Sequence, residues 1–529
     1  MSEKNSPINL PLTSIATVTI LFIAVAGAFY AEALNQAVQV ARAAVGQFLE
    51  WYYVALVAFL LFFVTWLGMG RYSTVRLGQD NEKPEFHVFS WLAMLFAAGT
   101  GVGLIFWSIA EPIMHFSGNP FTSSTSAAAA SVAMRLTFFH WGLNGWAIFS
   151  TVALALAYFA FRRQQPLTLS TALSPIIGRH SKGLPGQAVD LFAVLATVFG
   201  VATTLGLGAG QMSTGVANIV DVEPSTRQQM WIIGAVTLAA TLSVATGVRR
   251  GVRLLSELNM WLTLTIMAFF LLFGPTNYQM ALLVQSAGGY LQHLVEMTFW
   301  TASNQTSDWQ SEWTVFFWGW WLAWSPFVGM FIARISRGRT IGEFVFGVML
   351  VPTLISFLWI ALFGGTALHV ELFGNGGISE VVQRDVTQAL FATIEAMGVP
   401  HLLALTAGSL ATLLIATYFI TSADSGTLVI TTLLCNGRTN PPRWLRVLWG
   451  LGLGGLTAVL LIAGGVKTLQ SVVIMAALPF SLVILLLACG LVRALQDEAP
   501  SPRRGHRRRI SHDPLTESSE PPEEKRHQS

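Results

Sequence analysis

The chain has 529 residues, of which 53% are hydrophobic and only 11% are charged, and its formal net charge is +3. Soluble proteins carry about 25% charged residues, so this composition excludes a soluble globular protein and predicts an integral membrane protein. The two cysteines, Cys435 and Cys489, lie in separate apolar segments. They indicate no disulfide framework, cysteine metal site or redox pair.

Apolar segments follow one another along almost the whole chain. Each reaches the roughly 20 residues that a helix needs to span the hydrocarbon of a bilayer, and several are long enough to tilt. The predicted fold class is therefore an all-α polytopic membrane protein with twelve transmembrane helices. The segments lie near residues 12–34, 50–70, 89–116, 131–161, 188–219, 229–247, 256–275, 312–333, 343–368, 402–435, 445–466 and 468–495.

The positive charges are distributed unevenly between the connections, and this predicts the orientation of the chain. The even-numbered connections hold 16 lysines and arginines, whereas the odd-numbered ones hold only Arg42, Arg227, Arg384 and Lys467. Lysine and arginine are enriched on the cytoplasmic side of membrane proteins. Both termini are therefore predicted to be cytoplasmic, in a multi-pass cell-membrane protein that we expect in a bacterial inner membrane.

Two of the outer connections and the C-terminal tail have distinctive compositions. Residues 276–311 contain no lysine or arginine and predict a helix along the outer surface, whereas residues 369–401 predict an external lid. The tail from residue 496 is rich in proline, serine and charge, which predicts disorder. Its arginine run at 502–509 is read as a solvated topological anchor; binding to anionic lipid is the alternative.

The third segment contains three alternating glycines, Gly99, Gly101 and Gly103. A glycine inside a helix costs about 1 kcal/mol relative to alanine. Close packing of small residues explains the spacing from Gly99 to Gly103, but three glycines in five residues favour an unwound stretch. Such a stretch exposes N–H groups to an anion and carbonyl groups to a cation, as in the discontinuous helices of secondary transporters.

The eighth segment carries four tryptophans within seven residues, at 318, 320, 321 and 324. At 100° per residue, Trp320, Trp321 and Trp324 share an arc of about 100° on one helix face. An aromatic belt at the membrane surface would scatter around the helix and lie near its ends. The clustering therefore favours a wall of indoles that binds a quaternary ammonium group.

The tenth segment contains the polar run TSADSG at residues 421–426. Asp424 is an intramembrane carboxylate and hence a functional candidate. Hydroxyl groups in a helix often bond to their own backbone carbonyls. Thr421 and Ser422 beside an acid, together with the glycine-broken third segment, nevertheless favour a cation site.

The number of segments predicts an internal symmetry. Setting the first two segments aside leaves ten, which divide into two repeats of five. Because five is an odd number, the second repeat begins on the opposite side of the membrane, so the two repeats have inverted topology. Inverted repeats with a site at the bilayer midplane are the architecture of alternating-access transporters. The predicted division is an N-terminus at 1–11, two accessory helices at 12–88, repeats at 89–311 and 312–495, and a tail at 496–529.

The chain resembles the betaine/choline/carnitine transporter family over nearly its whole length. The resemblance rests on five stretches in one order: AAGTGVGLIFWSIAEP (97–112), TFFHWGLNGWAIF (137–149), ATVFGVATTLGLGAGQ (196–211), FFWGWWLAWSPFVGMFIARISRGRT (316–340) and TSADSG (421–426). It implies a leucine-transporter-like fold of five-plus-five inverted repeats behind two extra helices. It also implies a homotrimer and substrates with quaternary ammonium groups.

Substrate-binding roles carry over from this resemblance. The aromatic walls would be Trp141, Trp146, Phe149, Trp320, Trp321 and Trp324. Trp324 is the best single candidate for holding the trimethylammonium group, and the backbone of Gly99, Gly101 and Gly103 would face the other end of the substrate. Betaine carriers often have tyrosine where Phe149 stands. Choline-selective members typically carry an aspartate at the position of Gly103.

Sodium would be the coupling ion by the same resemblance, with no other cofactor. One ion would bind between the carbonyls of Ala97 and Thr100 and the region of Tyr418, Thr421 and Ser422. A second would lie near Thr197 and Phe327. Two departures bear on these sites: Thr100 stands where methionine is common, and Val201 stands where a threonine is expected, which weakens the second site.

The predicted function is sodium-coupled uptake of glycine betaine or a close analogue. Proton-driven choline uptake, with Asp424 as a proton carrier, and sodium-independent carnitine or betaine exchange are the alternatives within the same fold. A membrane enzyme is not expected, because Glu111 and His140 are the only obvious acid/base candidates and nothing pairs with them at a recognisable spacing. The expected partners are small substrates and lipid, and no nucleic acid.

Overall fold

The computed structural model describes residues 8–99, 101–246, 249–304, 307–438 and 440–498. Within these ranges the chain is helical and has no β-strand; one isolated antiparallel bridge joins Arg76 to Thr340. The all-α fold class is thereby confirmed. Residues 1–7 of the predicted N-terminus, the predicted sodium ligand Thr100, and the tail at 499–529 lie outside the described residues.

Most of the long helices cover predicted apolar segments, and shorter helices lie in several of the connections. The first nine are α1 (Leu10–Phe29), α2 (Ala31–Met69), α3 (Val88–Gly99), α4 (Val102–Ser117), α5 (Ala127–Trp141), α6 (Leu143–Ala157), α7 (Leu169–Ala172), α8 (Ser174–Ile177) and α9 (Leu184–Val220). A π-turn over Tyr158–Arg162 prolongs α6, and a 3₁₀ turn over Gly178–Lys182 precedes α9.

The second half of the chain has fewer interruptions. Its helices are α10 (Thr226–Thr246), α11 (Arg249–Phe273), α12 (Thr276–Phe299), α13 (Phe316–Ile335), α14 (Ile341–Phe373), α15 (Ile378–Arg384), α16 (Ala389–Ala396), α17 (His401–Leu434) and α18 (Arg443–Gln496). A π-turn over Ser311–Val315 leads into α13, and a 3₁₀ turn over Val386–Gln388 lies between α15 and α16.

The predicted number of twelve spans is not exact. Among the described residues, ten helices are long and apolar enough to cross a membrane. The last of them, α18, is two helices merged across a kink at Gly464 and Gly465, where Gly465 has a φ of 67°. The third predicted span is divided into α3 and α4, each too short to be counted. The inverted repeats and their boundaries stay a prediction.

Two spans are interrupted at glycine. Gly101 caps α4 with an extended backbone, as the glycine pattern of the third segment predicts. The break between α5 and α6 at Gly142 was not predicted. A Cβ atom at Gly142 would lie 2.5 Å from the carbonyl oxygen of Phe138 and 2.8 Å from the Tyr290 hydroxyl. That hydroxyl accepts a hydrogen bond from the Leu143 amide at 3.0 Å, so α12 supports the break.

Both long outer connections, the predicted surface helix at 276–311 and the predicted lid at 369–401, are helical in part. The first is α12, which packs against α5 and α14. The lid region forms α15 and α16, which both contact α4 beyond the glycine break. These connections therefore bear directly on the two helices that are interrupted.

Arg162 joins three parts of the chain at the predicted cytoplasmic end. Its guanidinium donates to Asp80 at 2.5 Å, to the carbonyl oxygen of Gly78 at 3.2 Å and to Glu498 at 2.7 Å. The Tyr158 hydroxyl also donates to Glu498, at 2.8 Å. This cluster fastens the end of α18 to the end of the α5–α6 span and to the loop that precedes α3.

Glu498 gives this cluster a pH dependence. Hydrogen bonds from Arg162 and Tyr158 lower the pKa of the Glu498 carboxyl below its ordinary value of 4.5. A carboxyl with a lowered folded-state pKa contributes stability that is present above the unfolded pKa and lost as the pH falls through the folded value. We expect Glu498→Gln to cost about 1–3 kcal/mol at neutral pH. Thermal unfolding in detergent should show that this cost shrinks below pH 4.5; a cost that persists unchanged in stronger acid would contradict it.

Candidate functional site

The six predicted aromatic residues of the binding site lie together between α5, α6 and α13. Trp321 is the centre of the group: its ring centroid is 5.8 Å from Trp141, 5.8 Å from Trp146 and 4.7 Å from Phe149. Trp320 lies 6.2 Å from Trp141 and 6.3 Å from Trp324. These pairs meet at tilted or edge-on angles, which aromatic quadrupoles favour. We call the six residues the aromatic box.

A narrow cavity lies inside the aromatic box. About 30 Å³ within it is open to the centre of a water-sized sphere. One water needs roughly 10–15 Å³ of such space, so the walls are close together. Trp146 stands behind Phe149 and Trp321 and does not line the cavity. The lining residues are Gly101, Gly103, Leu104, Trp141, Phe149, Trp320, Trp321 and Trp324.

Glycines on three neighbouring helices make room for the indoles. A Cβ atom at Gly103 would clash with Cη2 of Trp320. One at Gly145 would lie 2.6 Å from Cε2 of Trp321, and one at Gly200 would lie 2.7 Å from Cδ1 of Trp324. The sequence predicted a role for Gly103 but not for Gly145 or Gly200. Only the contacts reveal the roles of Gly145 and Gly200, because these contacts join helices that are far apart in the chain.

The indole N–H groups of the box have different partners. Trp141 donates to the Glu111 carboxylate at 2.9 Å, and Trp320 donates to the Thr204 hydroxyl at 3.3 Å. The N–H groups of Trp146 and Trp324 are buried, and within the described part of the chain no acceptor faces them. Thr204 and Glu111 are therefore parts of the site that the predicted residues did not include.

The glycine break places a helix N-terminus at the cavity. Gly101 ends the extended stretch, and its carbonyl oxygen accepts from the amides of Leu104 at 3.2 Å and Ile105 at 3.4 Å. The first amides of α4, those of Val102 and Gly103, have no acceptor in their own helix. Free amides at the positive end of a helix attract an anion. Gly99 is the last residue of α3, two residues before this N-terminus.

Of the predicted sodium residues, Ser422 is brought to the break. Its hydroxyl oxygen lies 3.9 Å from the position that a Cβ atom of Gly101 would take. Ala97 lies in the last turn of α3, on the other side of the break. The Ser422 hydroxyl therefore lies close to Gly101, the residue that caps α4.

The other two hydroxyls of the predicted first sodium site point to α11. Thr421 accepts from Asn259 at 3.3 Å and donates to the carbonyl oxygens of Thr417 at 3.1 Å and Tyr418 at 3.0 Å. The Tyr418 hydroxyl bonds to Thr263 at 2.9 Å. A sodium ion at this place would have to compete with these bonds for the Thr421 oxygen.

The predicted second sodium site has weaker geometric support. The Thr197 hydroxyl donates to Ala193 in its own helix at 2.8 Å. Phe327 packs against Trp324 with ring centroids 5.5 Å apart. Val201, the departure noted in the sequence, fills the space beside Gly426 of α17. The second site stays a prediction.

Asp424 contacts α10. Its Oδ2 accepts from the Ser243 hydroxyl at 2.7 Å. On the same side, Arg446 donates to the carbonyl oxygen of Val244 at 2.6 Å. These bonds join α17 and α18 to α10, so they favour a packing role for Asp424 over a role in proton transfer.

The expectation that nothing pairs with Glu111 and His140 is wrong. His140 Nδ1 lies 2.6 Å from Glu111 Oε1, and His115 Nε2 lies 3.4 Å from the same oxygen. The side chains of all three residues are fully buried. Glu111 and His140 are 29 positions apart on different helices, so only the packing of α4 on α5 reveals the pair.

Comparison with known proteins gives matches over most of the chain. The family model described as "BCCT, betaine/carnitine/choline family transporter" matches residues 11–500 of the chain. The chain is 42% identical over 453 residues to the probable glycine betaine transporter of Desulfitobacterium hafniense, which covers 85% of this chain and 90% of that protein.

Two further relatives are named as a betaine transporter and a choline transporter. The glycine betaine transporter of Acinetobacter baylyi is 43% identical over 448 residues, or 84% of this chain and 67% of that protein. The high-affinity choline transport protein of Escherichia coli is 38% identical over 452 residues, or 85% of this chain and 66% of that protein.

Proposed function

The chain belongs to the betaine/carnitine/choline transporter family, and we propose that it imports glycine betaine or a close analogue by sodium-coupled alternating access. A multi-pass membrane transporter, and not an enzyme, is what the family and the apolar helices confirm. The substrate, the coupling ion and the mechanism are the proposal.

The aromatic box is the observation that carries the proposal. Five of its six rings line a narrow cavity. Each ring contributes about 0.5–2 kcal/mol to the binding free energy of a cation placed on its face. A trimethylammonium head has no hydrogen-bond donor and gains little from polar walls, so a cavity of aromatic faces suits it better than it suits a metal ion or an ammonium group.

The N-terminus of α4 supports a zwitterionic substrate. Gly101 and Gly103 line the same cavity as the indoles, and neither carries a charge that would pair with choline. The free amides at this end suit a carboxylate. Both named betaine transporters are also more similar to this chain than the choline protein is, at 42% and 43% against 38% identity.

Coupling to sodium follows from the charge of the substrate. Moving one charge through 100 mV is worth about 2.3 kcal/mol, a gradient of nearly fifty-fold. A zwitterion has no net charge and needs a coupled ion to use this potential. We propose the carbonyls of Ala97 and Thr100 with Thr421, Ser422 and the Tyr418 region as the first sodium site.

Three further features belong to the proposal. The second sodium would bind near Thr197 and Phe327. The uneven distribution of lysine and arginine supports a cytoplasmic location for both termini. The resemblance to the family supports a homotrimer in contact with lipid, in the inner membrane of a bacterium.

Proton-driven choline uptake is the second candidate. It is favoured by the 38% identity to the choline transport protein over 85% of the chain and by the presence of an acid, Asp424, within a spanning helix. The Ser243–Asp424 hydrogen bond argues for a structural acid instead. Sodium-independent exchange of carnitine or betaine is the remaining alternative.

Uptake into proteoliposomes tests the proposed function. With an inward sodium gradient and an interior-negative potential, labelled glycine betaine is expected to accumulate roughly fifty-fold for each sodium ion moved through 100 mV. Replacing external sodium by potassium should remove this accumulation, because the zwitterion alone cannot use the potential.

Choline and a proton gradient provide the matched controls. An inward proton gradient without sodium should not drive glycine betaine uptake, and choline should compete weakly. Choline accumulation driven by protons would replace the proposal with its second candidate, and counterflow without any ion gradient would indicate exchange.

A further inference from the structure

A fully buried cluster of one carboxylate and two imidazoles stands directly behind the aromatic box. Glu111 belongs to α4, and His140 immediately precedes Trp141 at the end of α5. The cluster reaches the second half of the chain through Thr314, in the π-turn before α13, whose hydroxyl lies 3.1 Å from His140 Nε2. It therefore adjoins both interrupted spans and the helix that carries the tryptophans.

The two oxygens of Glu111 face N–H groups. The Trp141 indole has only a donor, so Oε2 must accept its hydrogen bond at 2.9 Å. Oε1 lies 2.6 Å from His140 Nδ1. With the proton on Nδ1, neutral His140 donates to Oε1, and its Nε2 accepts from the Thr314 hydroxyl. In this arrangement each oxygen of Glu111 accepts one hydrogen bond, and His115 Nε2 lies 3.4 Å from Oε1.

The geometry argues against a metal ion at the same residues. Imidazole and carboxylate ligands lie about 2.0–2.2 Å from a tetrahedral Zn²⁺, which puts two ligand atoms roughly 3.3 Å apart. Glu111 Oε1 and His140 Nδ1 are only 2.6 Å apart, a hydrogen-bond distance. His115 packs its ring against Trp313, with centroids 4.3 Å apart.

We propose that Glu111 is a positioning and specificity-determining residue that acts through Trp141. It fixes the indole plane in the wall of the cavity, and its negative charge behind that ring strengthens the attraction for a quaternary ammonium head. This inference rests on the proposed function of the aromatic box. It assigns His140 the role of holding Glu111 in place through the second oxygen.

The physical basis is the electrostatic nature of the cation–π interaction. The face of an aromatic ring attracts a cation through its quadrupole. An N–H group that donates to an anion shifts electron density into the ring, and a nearby negative charge adds its own attraction in a site of low dielectric constant. Trp320, in contrast, donates to the neutral Thr204 hydroxyl. Of these two indoles, only Trp141 donates to a carboxylate.

A pair of ligands separates charge from shape. Glycine betaine and 3,3-dimethylbutyrate have the same branched head and the same carboxylate, but only betaine has the positive nitrogen. Glu111→Gln keeps an oxygen that accepts from Trp141 and removes the charge. We expect it to raise the Kd of betaine by about three- to tenfold and to leave the Kd of dimethylbutyrate unchanged or slightly lower.

Binding to the purified full-length protein in detergent, followed by calorimetry, measures both constants. Thr204→Val is the matched control, because it removes a neutral acceptor from a different box indole. It should weaken both ligands by a similar factor. Trp141→Phe keeps an aromatic face without the N–H donor, and it should weaken betaine more than dimethylbutyrate.

The double variant tests whether Glu111 acts through the indole. In the Trp141→Phe background, Glu111→Gln should reduce betaine affinity by a smaller factor than in the wild-type background, because only the direct attraction of the charge is left to lose. If Glu111→Gln weakens both ligands equally, or keeps its full effect without the indole, the inference is wrong. If Glu111→Gln does not fold, equal losses of affinity for betaine and for dimethylbutyrate in Trp141→Phe overturn the inference. A wild-type protein that binds no betaine would instead refute the proposed function.

Discussion

Trp324→Leu is expected to abolish glycine betaine uptake while the protein still reaches the membrane. Trp324 lies at the end of the aromatic box, between Trp320 at 6.3 Å and Phe327 at 5.5 Å. Leucine removes one cation-binding face and part of the apolar wall. These losses amount to about 2–4 kcal/mol of binding, or roughly 30- to 900-fold in affinity.

The measurement is sodium-driven uptake of labelled betaine, normalised to the amount of protein in the proteoliposomes. Trp231→Leu is the matched control, because that tryptophan is 71% exposed on α10 and far less enclosed. It should transport like the wild type. Near-normal uptake by Trp324→Leu would remove the aromatic box from the mechanism.

Much of the site was predictable because its chemistry is local in sequence. Trp320, Trp321 and Trp324 lie within five residues, so the 100° rotation per residue places them on one face. The break at Gly101 was predictable for the same reason: its neighbours Gly99 and Gly103 weaken one helix at one depth. Trp141 and Phe149 joined the site only through the family resemblance.

The remaining parts depend on contacts between distant helices. Gly142 is a single glycine in a long apolar segment, and what interrupts the helix there includes the Tyr290 hydroxyl of α12. Glu111 and His140 were judged by their spacing along the chain, whereas their pairing is set by the packing of α4 on α5. Gly200 and Gly145 matter because indoles of α13 occupy the space that a side chain would need.

The same contacts predict that Gly103→Ala and Gly145→Ala each disrupt substrate binding. A new methyl group at 103 would also lie 3.0 Å from Cζ2 of Trp320, and one at 145 would lie 2.8 Å from Cδ2 of Trp321. Trp320 cannot turn freely, because it stacks on Phe316 with the ring planes 17° apart. Overpacking of this kind costs about 1–3 kcal/mol. In a cavity this narrow we expect a loss of about five- to 150-fold in betaine affinity.

Calorimetric binding of betaine measures the loss, and Gly234→Ala is the matched control. Gly234 lies within α10, and a Cβ atom there would meet nothing within 4 Å. Because alanine favours a helix more than glycine does, this variant should bind normally and be slightly more stable. Wild-type affinity in Gly103→Ala would show that Trp320 yields at little cost. In the observed packing, Trp320 must move before any side chain can occupy position 103.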